Sequence, residues 1–320
     1  MLMQYNDLVN LIKSGVVLHI AGAQDLLEKL PKGNWIGGST EYFMAKSGGK
    51  VSDELLYVTE FKYNVFNIKT YDKAEIKNIT KDAYNNGVSI LIIPFDSAVH
   101  REYAENAAEY EDQFMKPIVG WISGLNLGKQ GQTPIAVNGL TGEICKDTAV
   151  CLHMELPSDK MAAVNIINIF EVDENSPLIT FKDNGFSIKT CFIDGKETDF
   201  ADYITKNNSN TKLPLIGSYS GMGINVSFRG IENGMVQTYA PVFDNIEYRF
   251  AKNIPDYTSA FHEQLKGIDD TNALFSCNCI LNFLYGELEN KSIEAFGGPI
   301  TFGEIAYQLV NQTLVYVTVE

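Results

Sequence analysis

Three continuous apolar runs, each followed by a helical stretch and then by a second apolar run, recur along the chain. They begin at residues 16–20, 89–95 and 273–277. A short uninterrupted apolar run is typical of a strand that is buried on both faces. The pattern therefore predicts three strand–helix–strand units, in each of which a helical crossover connects two parallel strands.

Alternating apolar and polar positions predict further strands. Residues 55–61 and 63–69 alternate and are rich in Tyr, Val and Phe, which favours an antiparallel pair, and residues 73–86 look helical. Candidate strands continue beyond Pro157, and the list of them is 164–170, 179–181, 187–193, 236–241 and 313–319. We expect an α+β protein of two related halves, 1–157 and 158–320, with mixed β-sheets flanked by helices.

Two blocks of small and hydroxyl-bearing residues close the first and third units. The first block is Gly37-Gly38-Ser39-Thr40-Glu41, and the second runs from Gly298 through Thr301 to Glu304. Turns after parallel strands lie at the carboxyl edge of a sheet, where ligands commonly bind, and glycines allow a ligand to approach the backbone closely. The blocks therefore predict either ligand-contacting turns or tight turns that pack against another element.

Cys277 and Glu304 are the residues in these blocks that could carry chemistry. A helix that starts just after Cys277 would lower the pKa of its thiol and favour a nucleophile, although a small buried thiol fits the same position. Glu304 precedes an apolar stretch, so it could either cap the start of a helix or recognise a ligand such as an amine. The His and Cys residues do not have the spacing of a metal site, so we expect neither a metal nor a cofactor.

Composition excludes several classes of partner. The chain has 320 residues, 45% of them hydrophobic, and a net charge of −15. This acidity argues against binding to nucleic acids or to anionic membranes. The first 18 residues lack the pattern of a secretory signal, no window reaches the length of a membrane span, and the number of cysteines is odd, so we expect a cytoplasmic protein.

The order of these motifs resembles the FIST (F-box and intracellular signal transduction) sensory domain family, in its N- and C-terminal parts. The N-terminal resemblance rests on the run 16–20, on the Gly37–Glu41 block and on Ile118-Val119-Gly120-Trp121. The C-terminal resemblance rests on Phe275-Ser276-Cys277 and on the block that ends at Glu304-Ile305, and the whole spans about residues 12 to 318. The Arg that often follows the Cys in that family has no counterpart within residues 277–282.

The resemblance implies a sensory module that binds a small molecule between its two halves, the expected ligand being an amino acid or a similar metabolite. We expect a separate signalling protein to detect the bound state, because the chain has no room for an output domain. The predicted ligand-binding residues are Gly37, Gly38, Ser39, Thr40, Trp121, Cys277, Thr301 and Glu304. Two alternatives remain open: an enzyme that uses Cys277 or Glu304, and a protein-interaction module without a small ligand.

Overall fold

The fold is known from a computed structural model, which describes residues 1–129, 131–219, 222–268, 270–293 and 296–320. The chain forms two compact units. The first contains Met1–Ile167, Leu265–Leu309 and Thr313–Glu320, and the second contains Asn168–Gln264 and Val310–Gln312. The expected division of the chain into halves, 1–157 and 158–320, stays a prediction.

Strands dominate the secondary structure. Numbered in chain order, they are β1 (Leu2–Gln4), β2 (Val17–Gly22), β3 (Trp35–Ser39), β4 (Tyr42–Ala45), β5 (Gly48–Val51), β6 (Leu55–Phe61), β7 (Phe66–Tyr71), β8 (Gly87–Pro94), β9 (Ile118–Ser123), β10 (Ala136–Asn138), β11 (Glu143–Cys145), β12 (Ala149–Glu155), β13 (Ala162–Ile167), β14 (Ile179–Thr180), β15 (Gly185–Ile188), β16 (Thr190–Ile193), β17 (Lys196–Asp199), β18 (Leu215–Tyr219), β19 (Met222–Val226), β20 (Phe228–Glu232), β21 (Met235–Val242), β22 (Tyr248–Phe250), β23 (Ala273–Cys279), β24 (Gly298–Thr301), β25 (Glu304–Ala306), β26 (Gln308–Val310) and β27 (Leu314–Val319). The α-helices are α1 (Tyr5–Lys13), α2 (Gln24–Leu27), α3 (Ile79–Asp82), α4 (Ala98–Asn106), α5 (Phe200–Lys206), α6 (Tyr257–Leu265) and α7 (Ile280–Tyr285). The mixed sheets with flanking helices confirm the predicted fold class.

All three predicted strand–helix–strand units are present, and all lie in the first unit. The parallel strand pairs are β2 with β3, β8 with β9, and β23 with β24, joined through α2, α4 and α7 respectively. Strands β2 and β8 are buried along their whole length, and β23 is buried from Phe275 to Cys279, as expected for strands that are covered on both faces. The hydrophobic periodicity therefore identified the framework of this unit correctly.

Three sheets make up the first unit. Their strand orders are β1-β6-β2-β3-β10-β11, β26-β25-β9-β8-β12-β7 and β13-β27-β23-β24-β4-β5. The sheet of β8 and β9 contacts the sheet of β3 through β8 and the sheet of β23 through β9 and β25. The carboxyl ends of the parallel pairs are thereby buried in the interior of the unit.

Two local predictions were wrong. Residues 55–61 and 63–69 do not pair with each other, because β6 joins the sheet of β1 and β2 while β7 pairs with β12. Alternation fixes which face of a strand is buried but does not specify its partner. The helix expected over residues 73–86 is reduced to a 3₁₀ turn, Ile76–Asn78, and the single turn of α3.

The second unit is built from two antiparallel sheets with the orders β17-β16-β14-β22-β18-β19 and β15-β21-β20. Edge-to-face aromatic contacts fill its core, with Phe181 against both Phe200 and Tyr248. A tight turn at Asp194-Gly195, where both residues have positive φ angles, connects β16 to β17.

None of the helices in the described ranges has the length and apolar character that a bilayer crossing requires.

Candidate functional site

The eight residues predicted from the sequence all lie in the first unit, and all are buried. Gly37, Gly38 and Ser39 end β3 and Thr40 follows it, so the turn expected at these glycines is wrong; the chain bends at Thr40 and Glu41 instead. The remaining predicted residues lie on four strands: Trp121 in β9, Cys277 in β23, Thr301 at the end of β24 and Glu304 at the start of β25.

The structure brings the N-terminal and C-terminal blocks together. The hydroxyl of Thr40 donates to the carbonyl oxygen of Ile300 over 2.8 Å, and Trp121 pairs with Glu304 across the antiparallel strands β9 and β25. Cys277 Sγ donates to the carbonyl oxygen of Gly120 over 3.3 Å. The two blocks therefore lie against each other in the structure. Their contact with a ligand stays a prediction.

Close packing accounts for the glycines of the first block. A Cβ atom on Gly38 would lie 2.7 Å from Cγ2 of Ile92 and 2.8 Å from Cη2 of Trp121, so β3 approaches β8 and β9 closely at this point. A Cβ atom on Gly37 would lie 3.0 Å from the carbonyl oxygen of Ile20. Close packing therefore disfavours a side chain at both positions, most strongly at Gly38.

Glu304 is the most perturbed acidic group of this region. Its carboxyl is fully buried. Oε1 forms a hydrogen bond with the hydroxyl of Thr301 at 2.8 Å, and Oε2 accepts from the hydroxyl and backbone N–H of Thr313 at 2.9 and 3.2 Å. Burial raises the pKa of Glu304 to about 8 in spite of these bonds. The residue begins a strand, so the helix-capping role considered for it is wrong.

Cys277 does not have the environment of a nucleophile. The thiol is 2% exposed, and burial, reinforced by the nearby carboxyl of Glu304, raises its pKa well above the ordinary value. Helix α7 begins at Ile280, and its effect does not lower the pKa as the sequence suggested. A thiol that stays protonated reacts slowly, because the thiolate is the nucleophilic form.

A further polar group near this region escaped the sequence analysis. Trp121 Nε1 donates to His19 Nε2 over 2.8 Å, and the ring of His19 contacts Phe275 edge-to-face at 5.0 Å. Three buried atoms, one each on β2, β9 and β23, have no hydrogen-bond partner among the described residues; they are His19 Nδ1, Ser123 Oγ and Asn278 Nδ2. Single polar residues within apolar strands are common, so no sequence signal distinguishes these three.

A chain of hydrogen bonds elsewhere in the first unit was also missed. Ser89 Oγ lies 2.8 Å from His153 Nδ1, His153 Nε2 lies 2.8 Å from the hydroxyl of Tyr71, and that hydroxyl donates to Asp82 Oδ2 over 2.9 Å. Lys69 completes the chain with an ion pair to Asp82 at 2.5 Å. Paired alternating strands bring these residues together, since His153 faces Ser89 across β12 and β8.

A serine beside a histidine can act as a nucleophile when a substrate reaches it. Ser89 is only 1% exposed and His153 is fully buried, so in this structure their contact ties strands together. Burial lowers the pKa of His153 to about 4, which keeps the ring neutral near neutral pH. The arrangement therefore fits a buried structural network and not an accessible catalytic centre.

The second unit contains a pocket of about 390 Å³ that the sequence did not indicate. Its lining combines apolar side chains, backbone at two glycines, and charged groups; the residues are Val172, Glu174, Leu178, Ile216, Gly217, Ser218, Gly223, Glu247 and Arg249. The volume lies in the range of metabolite-sized sites, which is about 300–1,000 Å³. Glu247 lies just before β22 and Arg249 lies within it, two residues further on, and β22 pairs with β18. Residues with this spacing in a strand lie on the same face, so two charged residues at this spacing are the sequence signal that could have indicated the pocket.

Arg249 is held in this pocket by two contacts. Its Nη1 donates to the carbonyl oxygen of Ser176, and its Nε lies 3.8 Å from Glu174 Oε2. Its side chain is 30% exposed, so the guanidinium is fixed while part of it remains accessible. A second cavity of about 360 Å³ in the same unit is lined without any charged residue, by residues that include Asn208, Ser209 and Phe228.

The chain belongs to DUF6976, a family of unknown function, which it matches over residues 3–320. No curated protein matches the sequence.

Proposed function

We propose that this protein is a small-molecule-binding module with a sensory role, and that the pocket beside β18 and β22 in the second unit holds the ligand. The observation that carries the proposal is the pocket of about 390 Å³, in which apolar side chains and charged groups line the same space. Ligand sites commonly combine an apolar lining with a few polar groups that fix orientation. An amino acid or a similar metabolite fits this combination in size and chemistry.

The sensory part of the proposal draws on the resemblance to FIST domains. It is supported by the blocks around Gly38 and Glu304, which are the specific part of that resemblance. A separate signalling protein would detect the bound state. The five cysteines are free and buried, which supports a reducing compartment such as the cytoplasm.

A screen of thermal stability with amino acids, nucleotides and other metabolites tests the proposal. A ligand that binds only the native state, at about 100 times its Kd, stabilises that state by about 2.7 kcal/mol. Ser218→Trp should abolish the stabilisation, because Ser218 is exposed and lines the pocket, where an indole would occupy the ligand's space. The matched control is Ser187→Trp, at an exposed strand position of the same unit that lines neither cavity.

Two further variants separate the pocket from the residues predicted in the first unit. Ser39→Ala and Glu304→Gln should leave the stabilisation by ligand unchanged. Loss of binding in these variants, with binding retained in Ser218→Trp, would move the ligand site to the first unit. The absence of stabilisation by every compound in the screen would overturn the proposed function and favour a protein-interaction module.

A further inference from the structure

The charges that line the pocket in the second unit are unequal. Two glutamates, Glu174 and Glu247, face one arginine, Arg249, in the same lining. We infer that this pocket selects a small organic cation, with Glu247 as the carboxylate that receives the ammonium group of the ligand. The inference rests on the proposed function, since it names the class of ligand for the same pocket.

The positive charge in the lining is already compensated. Arg249 lies 3.8 Å from Glu174 and is held by its hydrogen bond to Ser176. An anionic ligand would have to compete with Glu174 for this guanidinium. It would also be repelled by Glu247, so the pocket disfavours ligands whose only charge is negative.

The second carboxylate has no such compensation. Within the described part of the chain, the side chain of Glu247 forms neither an ion pair nor a hydrogen bond, whereas its backbone oxygen accepts from the N–H of Ser218 over 2.9 Å. The strand pairing therefore holds the backbone at Glu247 in place and leaves its carboxylate available. One uncompensated negative charge beside a cavity favours a ligand of opposite charge.

The remaining lining defines the rest of the ligand. Val172, Leu178 and Ile216 supply apolar side chains, of which Ile216 is 4% exposed. An amine with a short hydrocarbon group would place its charge at Glu247 and its carbon atoms against these residues. The net charge of −15 on the whole chain also attracts cations at long range.

Three compounds with one carbon skeleton test the inference by calorimetric titration of the full chain. They are leucine, 3-methylbutylamine, which lacks the carboxylate, and 4-methylpentanoate, which lacks the amine. We expect the amine and the amino acid to bind and the acid not to bind. Binding of the amine should weaken as the ionic strength rises, because ions screen an exposed charge pair.

Glu247→Gln should raise the Kd of the amine several-fold and reduce its dependence on salt. The matched control is Glu232→Gln, an exposed glutamate of the same unit that lines neither cavity. Equal binding of the acid and the amine, or an unchanged Kd in Glu247→Gln, would overturn the inference. If a neutral or anionic ligand from the wider screen binds the wild type but not Ser218→Trp, the inference of a cationic ligand is wrong and the proposed function remains. If no compound binds, both the inference and the proposed function are wrong.

Discussion

The hydroxyl of Thr301 lies 2.8 Å from Oε1 of Glu304 and 3.2 Å from the carbonyl oxygen of Asn278. Its single proton can serve only one of these acceptors at a time. When Glu304 is protonated, the carboxyl donates to Thr301, and Thr301 donates to Asn278. When Glu304 is ionised, Thr301 must turn towards the carboxylate, and Asn278 loses that donor. Burial, which raises the pKa of Glu304 to about 8, favours the first of these arrangements near neutral pH.

Glu304 should make the protein less stable as the pH rises. Its pKa is about 8 in the native state against an ordinary value of 4.5, so the native state retains a proton that the unfolded state loses. Stability therefore falls as the pH rises from about 4.5 to about 8, and the effect is complete above that range. Each unit of pKa shift corresponds to about 1.4 kcal/mol, so we expect a loss of a few kcal/mol.

Glu304→Gln isolates this effect, since an amide keeps the shape of the neutral acid and cannot ionise. The free energy of unfolding, measured by denaturant titration across this pH range, should fall less steeply in the variant than in the wild type. Identical slopes in the two proteins would show that Glu304 is ionised in the native state or is reached by water.

The hydrogen bonds of Tyr71 assign the proton positions around His153. Burial opposes ionisation of Asp82, but the bonds from Lys69 and Tyr71 outweigh it and hold the pKa of the carboxyl below its ordinary value. A carboxylate cannot donate, so the hydroxyl of Tyr71 donates to Asp82 and accepts from Nε2–H of His153. The unprotonated Nδ1 then accepts from the hydroxyl of Ser89.

Tyr71→Phe should therefore destabilise the protein by about 1–3 kcal/mol, because it leaves the buried Nε2–H of His153 without an acceptor. Urea unfolding monitored by circular dichroism would measure this loss. Tyr63→Phe is the control, since the hydroxyl of Tyr63 forms no hydrogen bond in the described ranges. A difference between the variants within about 0.5 kcal/mol would show that the chain of bonds contributes little.

Many strands of the first unit could be predicted because the order of apolar and polar residues within each segment is enough to identify them. Continuous apolar runs gave all three parallel pairs, and the predicted strand at residues 55–61 matches β6 at both ends. Pairing between distant strands has no such local signal. For this reason β7 was assigned to the wrong partner, and the hydrogen bond between Ser89 and His153 was not foreseen.

The candidate site was predictable only in part. Thr40 does lie beside the block around Thr301, but the sequence could not distinguish glycines that admit a ligand from glycines that admit a neighbouring strand. The pocket in the second unit depends on side chains from separate segments, such as Glu174 and Arg249. Their approach is a consequence of strand pairing, which composition and spacing do not determine.

Gly38→Ala tests the packing explanation for the first block. The added methyl group would meet Ile92 and Trp121 at under 3 Å, and the side chains of a buried core can yield only partly. We expect a loss of about 1–3 kcal/mol in the free energy of unfolding. Gly128→Ala, whose added Cβ would meet only the side-chain oxygen of Asn126 at 3.3 Å, should change stability by less than about 0.5 kcal/mol. Equal effects would count against the packing explanation.

Cys277 should react slowly with thiol reagents in the native protein. Its thiol is 2% exposed, donates to the carbonyl oxygen of Gly120, and has a pKa raised by burial, so both access and thiolate formation are restricted. Labelling with iodoacetamide, followed by mass spectrometry of peptides, should show modification of Cys277 only after denaturant is added. Cys277→Ser supplies the blank for that peptide and retains a donor for Gly120. Rapid labelling of Cys277 under native conditions, ahead of the other four cysteines, would restore the enzyme alternative, because it would require a thiolate that reagents can reach.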